Sequence, residues 1–227
     1  MEDLEKLRFN IRHSAAHIMA EAVMNLYPGT RIGIGPPTSD GFYYDFDCPK
    51  QLSKDDFKDI EKEMKKIIKS KRKFTGEVVS RDEASKRFSN QDYKLEIIEG
   101  IPDDEEVTIW SHESWEDICR GGHVEKTNNI KAFKLLDVAG AYWKGNEKNK
   151  MLQRIYGTAW ESKEEQKKYL DKLELAAKRD HRKLGVSLDL FYFDEFSPAM
   201  PFFLPKGTFL MNKLTNYMRE KYHKYGY

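Results

Sequence analysis

Cysteine is scarce in this 227-residue sequence, which holds only Cys48 and Cys119. Two thiols cannot supply a disulfide framework, and they fit a reducing, cytoplasmic setting. Long apolar runs are missing as well, and none approaches the length needed to span a bilayer. Met1-Glu2-Asp3-Leu4-Glu5-Lys6 has neither the basic start nor the apolar stretch of a signal peptide. No membrane partner is therefore expected. Repeats and low-complexity tracts are absent. Net charge is also close to nil, +1 from 39 Lys/Arg and 38 Asp/Glu, so bulk charge marks no nucleic-acid binder. What is there is a globular composition, 39% hydrophobic and 34% charged, with length enough for one full domain and part of a second.

Two clusters break the charge balance. Residues 61–73 hold seven Lys/Arg against two Glu, and residues 165–183 hold seven against four Asp/Glu. Such clusters can face phosphate, and a solvated helix face also accounts for each.

Hydrophobic spacing predicts a helix over 3–27, with Leu4, Leu7, Ile11, Ala15, Ile18, Ala22 and Leu26 on one stripe and Pro28-Gly29 as the stop. His13 and His17 fall on the far side of that wheel. A short strand at 31–34 and a stiff Gly35-Pro36-Pro37 turn follow. Asp40-Gly41 signals a hairpin, and Phe42, Tyr44 and Phe46 share one face of the next strand. Ser53 is placed to cap a helix whose buried stripe is Phe57, Ile60, Met64, Ile67 and Ile68. A short helix is expected at 81–88, strands at 93–99 and 106–110, and a turn with a short helical stretch before Cys119. Strands at 131–138 and 151–156 precede a charged helix running from 163 to about 184. A composition shift near 185 marks a domain boundary. The last helix, Gly207 to Tyr225, has an apolar face (Leu210, Leu214, Tyr217, Met218, Tyr222) with nothing after it in sequence to cover it. Helices alternating with hairpin-joined strands predict an α+β fold with a largely antiparallel sheet.

His13 and His17 lie four apart on the first helix, so both project from one face, roughly 5–6 Å apart at Cβ. Two imidazoles so spaced can converge on an ion or a substrate. Ser14 stands where a zinc protease would carry its glutamate base. In Cys119-Arg120-Gly121-Gly122-His123, the glycine pair lets the backbone turn sharply and aim thiol and imidazole into one cavity. Each half alone is equally at home as structure. Together, three histidines and a cysteine can bind zinc or manage water and protons.

His13-Ser14-Ala15-Ala16-His17 with Cys119-Arg120-Gly121-Gly122-His123 resembles the paired signature of the editing domain shared by threonyl- and alanyl-tRNA synthetases. Further stretches resemble the threonyl family specifically. These are Ile34-Gly35-Pro36, Gly41-Phe42-Tyr43-Tyr44-Asp45, Ala139-Gly140-Ala141-Tyr142-Trp143, and the run from Met151 through Gln153, Arg154 and Tyr156 to Trp160. Ala176 to Gly185 is similar to the helix linking editing and catalytic domains, and Ser197-Pro198-Ala199-Met200 to the entry of the class II catalytic domain. The resemblance implies an editing domain at 1–162, a linker helix at 163–185 and the beginning of the catalytic domain at 186–227. Departures are the missing ubiquitin-like domain before Met1 and Gly122 where the family usually has proline. The chain stops at Tyr227, within what resembles the first class II motif. The parts that use ATP, threonine and the catalytic-domain zinc are expected to be absent, and aminoacylation with them.

By the same resemblance, the task is hydrolysis of serine wrongly esterified to the 3′ end of threonine tRNA, by an enzyme that is a homodimer at full length. The resemblance implies His13 as the group that positions or deprotonates water, with His17, Cys119 and His123 completing the site. It places Lys94 near the reacting ester, Asp117 against the amino acid's ammonium, and Tyr44 as a wall or hydrogen bond. Bland readings of the last three are a surface lysine, a loop-capping aspartate and a half-buried strand tyrosine. Three readings stand open: a hydrolase that requires no metal, a zinc site on His13, His17, Cys119 and His123, and a tRNA-binding module with a dead site. The threonyl-like wider sequence favours the first.

Overall fold

A computed structural model describes residues 2–227. Helix α1 (Glu2–Leu26) stops ahead of Pro28 and Gly29, where glycine takes the left-handed φ of 89°. Every side chain from position 11 to 23 is buried. This corrects the expected two-faced helix: Leu4, Leu7 and Leu26 are the exposed members of the predicted stripe, while His13 and His17 are inside. A helix enclosed on all sides uses small residues for close approach, here Ala15, Ala16, Ala20 and Ala22.

One neighbour of α1 is a four-stranded sheet. Strands β1 (Arg31–Ile32), β2 (Phe42–Asp47), β7 (Met151–Trp160) and β6 (Ala132–Tyr142) lie in that spatial order, every pair antiparallel. Phe42, Tyr44 and Phe46 are buried on β2, as its alternation predicts. Thr38 and Gly41 close the turn before it, the Thr38 N–H donating to the Gly41 carbonyl at 2.8 Å. The other neighbour is α2 (Phe57–Lys69), preceded by a capping box in which Ser53 and Asp56 satisfy each other's backbone N–H groups. Its buried face, Phe57, Ile60, Met64 and Ile67, joins the α1–sheet core.

A smaller antiparallel sheet has the order β3 (Thr75–Val79), β4 (Val107–His112), β5 (Trp115–Ile118). Helices α3 (Arg81–Arg87) and α4 (Asp92–Glu99) pack on it through Ala84, Phe88, Ile98, Val107 and Ile109. The strand expected at 93–99 is therefore a helix. Its seven residues carry too short an apolar pattern to separate period two from period 3.6, and the packing of Ile98 decides the matter. The short helical stretch expected before Cys119 is instead strand β5, whose alternate residues Trp115 and Asp117 are buried.

The chain divides into two compact units, the first ending at Lys167 and the second Lys168–Tyr227, with the division inside α5 (Lys163–Lys178). The single helix expected to about 184 is broken. Asp180 leaves helical geometry and caps α6 (His181–Ser187) by accepting the Arg182 N–H at 2.8 Å. The second unit adds the antiparallel pair β8 (Phe191–Phe193) and β9 (Pro201–Phe203), then α7 (Pro205–Tyr225), whose predicted apolar face is exposed. The architecture is α+β, with all described strand pairs antiparallel.

Candidate active site

Two pieces of the first unit meet at the site. Helix α1 contributes His13 and His17, one turn apart and both buried. Strand β5 contributes Asp117 on the face it shares with Trp115, and the chain continues into Cys119 and the glycine pair. Gly121 and Gly122 take φ of 82° and 86°, a left-handed succession that sends His123 back toward Cys119. His123 Nε2 then lies 3.2 Å from Cys119 Sγ. The structure brings His13, His17, Cys119 and His123 together, with one nitrogen or sulfur from each inside a 4.8 Å cluster. His123 is sandwiched between His13 at 4.2 Å and Phe74 at 4.9 Å, ring centre to ring centre.

Two of the imidazoles, those of His13 and His123, spend one nitrogen on a hydrogen bond to a protein oxygen. His13 Nδ1 is 2.9 Å from the Gly121 carbonyl, which can only accept, so the proton of neutral His13 is on Nδ1 and its lone pair is on Nε2. His123 Nδ1 meets Ser14 Oγ at 3.1 Å, and Ser14 also accepts the Val124 N–H at 3.0 Å. His17 Nε2 faces Asp117 Oδ2 at 3.6 Å, leaving a buried Nδ1 with no hydrogen-bond partner among the described residues. Burial holds His13 below the ordinary imidazole value. Burial and then the facing imidazoles hold His17 well below it and bring His123 down to about 2. Burial, then Asp117, pushes the Cys119 thiol up to about 12. At neutral pH the four groups are three neutral rings and a thiol.

Beside them is a second buried set. The Lys94 ammonium, carried by α4, pairs with Asp117 Oδ1 and donates to Tyr44 Oη at 2.9 Å. Tyr44 donates in turn to Asp117 Oδ2 at 2.5 Å. Burial and then the Asp117 charge hold the Tyr44 phenol well above 10. Gly35 lies against the Tyr44 ring, and a Cβ there would fall 2.0 Å from Tyr44 Cδ2. A cleft of about 440 Å³ opens onto His13, His17, Lys94, Asp117 and Cys119, with Gly35, Pro36 and Pro37 as its wall.

All seven residues singled out in the sequence thus fall in one region. Lys94 and Tyr44 are wholly inside rather than on a surface or half-buried strand. Sequence reasoning missed Ser14, Glu21, Phe74, His112 and Trp115. Glu21 had a readable signal, since it extends the His13–His17 spacing by another four residues. The others are ordinary residues whose placement depends on contacts far along the chain.

Residues 107–156 match the model of the threonyl and alanyl tRNA synthetase second additional domain. A threonine–tRNA ligase of Fusobacterium nucleatum is 50% identical over 220 residues, 96% of this chain and 36% of that protein. One from Burkholderia lata is 50% identical over 219 residues, 96% of this chain and 34% of its own length. A third, from Acetivibrio thermocellus, is 50% identical over 218 residues, 95% and 34% respectively. Nearly the whole chain is thus similar to one part of a threonine–tRNA ligase. It spans about a third of the length of the curated ligases it matches. Within the matched second additional domain lie Asp117, Cys119 and His123, while α1, β2 and α4 bring in the other candidate residues. Among the described residues no helix is long and apolar enough to cross a membrane.

Proposed function

We propose that this chain is the proofreading part of a threonyl-tRNA synthetase and hydrolyses serine mischarged onto threonine tRNA. The observation that carries the reading is the convergence of His13, His17, Cys119 and His123 beside the Lys94–Asp117–Tyr44 set on one cleft. In this reading 1–162 is the editing domain, 163–185 the linker helix and 186–227 the beginning of the class II domain. Partners are threonine tRNA with its seryl 3′ end and, at full length, a second subunit. ATP and a catalytic-domain zinc serve synthesis, and the setting is cytoplasmic.

The chemistry is ester cleavage. His13 Nε2 takes a proton from a water as the water oxygen bonds to the seryl carbonyl carbon. Lys94 is the cation that offsets the charge developing on the carbonyl oxygen. The carbon–oxygen bond to the ribose then breaks, and the His13 imidazolium returns its proton to the leaving 3′ oxygen. Serine and tRNA with a free 3′ hydroxyl result. Asp117 holds the amino acid's ammonium, which must share that carboxylate with Lys94, and Tyr44 walls the pocket. A synthesis site cannot sterically exclude a smaller amino acid, because one methylene-sized group is worth only ~1–3 kcal/mol. A second pocket that collides with threonine's methyl resolves this. The lysine-rich α2 end and the linker helix are offered to tRNA phosphates, and charge reversal there is expected to weaken binding and flatten its salt dependence.

A zinc-loaded site is the second reading, and the donors fit it. His13 Nε2, His17 Nδ1, His123 Nε2 and Cys119 Sγ are the atoms left over after each ring's other nitrogen faces a protein oxygen, the usual support for a ligating histidine. When bound, zinc would supply a more acidic water. The metal-free reading is kept because the chain is threonyl-like throughout, and metal analysis of the purified chain separates the two. The deciding experiment compares release of serine and of threonine from the charged tRNA, with His13→Ala beside the native chain. Rapid release of serine alone, lost in the variant, is expected. Tight binding of the mischarged tRNA without faster deacylation would leave a dead binding module.

A further inference from the structure

Behind the cleft, and lining none of it, lies a buried polar joint. Glu21 stands four residues beyond His17 on α1, and its Oε2 is 2.7 Å from Nε2 of His112, a wholly buried residue. Arg72 Nη1 donates to the other Glu21 oxygen at 2.6 Å, and Arg72 Nε meets Glu113 at 2.8 Å. His112 ends β4 and pairs in register with Trp115 across the Glu113–Ser114 turn, where Glu113 takes a left-handed φ of 60°. The Trp115 ring is 5.1 Å from both His112 and His17. The Phe74 ring is 4.9 Å from His112 and lies parallel to His123 at the same distance.

The joint therefore connects the two pieces that build the site. Glu21 belongs to the helix bearing His13 and His17, and His112 to the hairpin leading into Asp117, Cys119 and His123. A buried charged contact is seldom better for stability than an apolar pair of equal volume. What it adds is direction: hydrogen bonds fix an orientation along which apolar surfaces would slide. We infer that Glu21 and His112 are positioning residues that set the placement of His13 and His17 against Asp117 and His123. The inference rests on the hydrolase reading, and the joint touches no substrate. Misplacing reacting groups by ~1 Å can cost on the order of 100-fold in rate.

The test replaces the polar pair by an apolar one, Glu21→Leu with His112→Leu, with Glu21→Gln as a milder variant should the double one not fold. Steady-state deacylation of serine-charged threonine tRNA and the imidazole resonances of His17 and His123 are both measured. The expected result is a folded protein whose kcat falls about tenfold or more while KM stays within about twofold, with those resonances displaced. A folded apolar variant with native kcat and unmoved resonances would overturn the inference, leaving the joint a packing feature. If the native chain itself releases no serine, the hydrolase reading fails, and the resonances alone decide whether the joint sets the imidazoles.

Discussion

The Lys94 ammonium rests on the Asp117 carboxylate, and both side chains are almost wholly inside the protein. Tyr44 bonds to each, so the three groups form one mutually hydrogen-bonded set. Removing one partner strands the other charge at low dielectric. Lys94→Met is therefore expected to cost ~3–5 kcal/mol, the usual range for breaking a buried pair from one side. Lys94→Met with Asp117→Leu should recover most of that stability and none of the hydrolysis. Urea midpoints of the native, single and double forms check this. A single variant as stable as the native chain would mean that the pair is solvated.

Much of the site was legible because it is local. His13 and His17 need only a helix, and Cys119 and His123 need only a glycine turn between them. The extent of helix α1 (though not its burial on every side), the aromatic face of β2 and the capped α2 were legible for the same reason, each having a spacing and punctuation of its own. The misreadings fall where tertiary contacts decide. The segment at 93–99 is helical because Ile98 packs against Ala84, Phe88 and Val107, and nothing within seven residues announces this. Hairpin β4–β5 escaped notice because its turn, Glu113-Ser114, lacks the usual glycine or asparagine, and Glu113 supplies the left-handed residue. Lys94 and Asp117 could be named from resemblance, but no spacing tells that they hold each other.

Gly122 is required twice over. Its φ of 86° is left-handed, and a Cβ there would lie 2.8 Å from Phe9 Cε1. Gly29 has a similar φ of 89° with nothing within 4 Å of its would-be Cβ, which makes it a control for backbone strain alone. Both alanine variants should lose ~1–2 kcal/mol of stability from the left-handed conformation. Only Gly122→Ala should also cut hydrolysis, by roughly tenfold or more, because shifting this loop moves His123. Equal activity losses in the two variants would trace the effect to strain rather than to the aim of His123.

Cys119 is expected to act as a thiol and never as a nucleophile. With its titration pushed up to about 12 by burial and then by Asp117, only a negligible fraction is thiolate at pH 7. Cys119→Ala should retain more kcat than His13→Ala, because it removes a neighbour of His123 and leaves the proposed proton acceptor in place. Mass spectrometry of the chain quenched while mixed with serine-charged threonine tRNA should find no seryl adduct. An acyl group on Cys119 would replace direct water attack by a two-step route.

The three site histidines also tie stability to pH. Their folded titrations lie below the ordinary 6.5, chiefly through burial, and that of His123 is brought down to about 2. Unfolded, each would bind a proton below about 6.5, while the folded rings stay neutral. The unfolded state thus holds the extra protons, so stability is greatest above 6.5 and falls as pH drops from there toward the folded values. Each histidine contributes a slope of up to ~1.4 kcal/mol per pH unit once the unfolded ring is fully charged. Unfolding free energy measured from pH 7.5 to 4.5 should show this decline, and His123→Gln should lessen it by about one proton's worth. Hydrolysis should fall over the acid side as well, at the lower pH where folded His13 takes up its proton and loses the Nε2 lone pair. An unchanged slope in His123→Gln would mean that this ring is already protonated in the folded protein, and the neutral imidazole cluster would have to be abandoned.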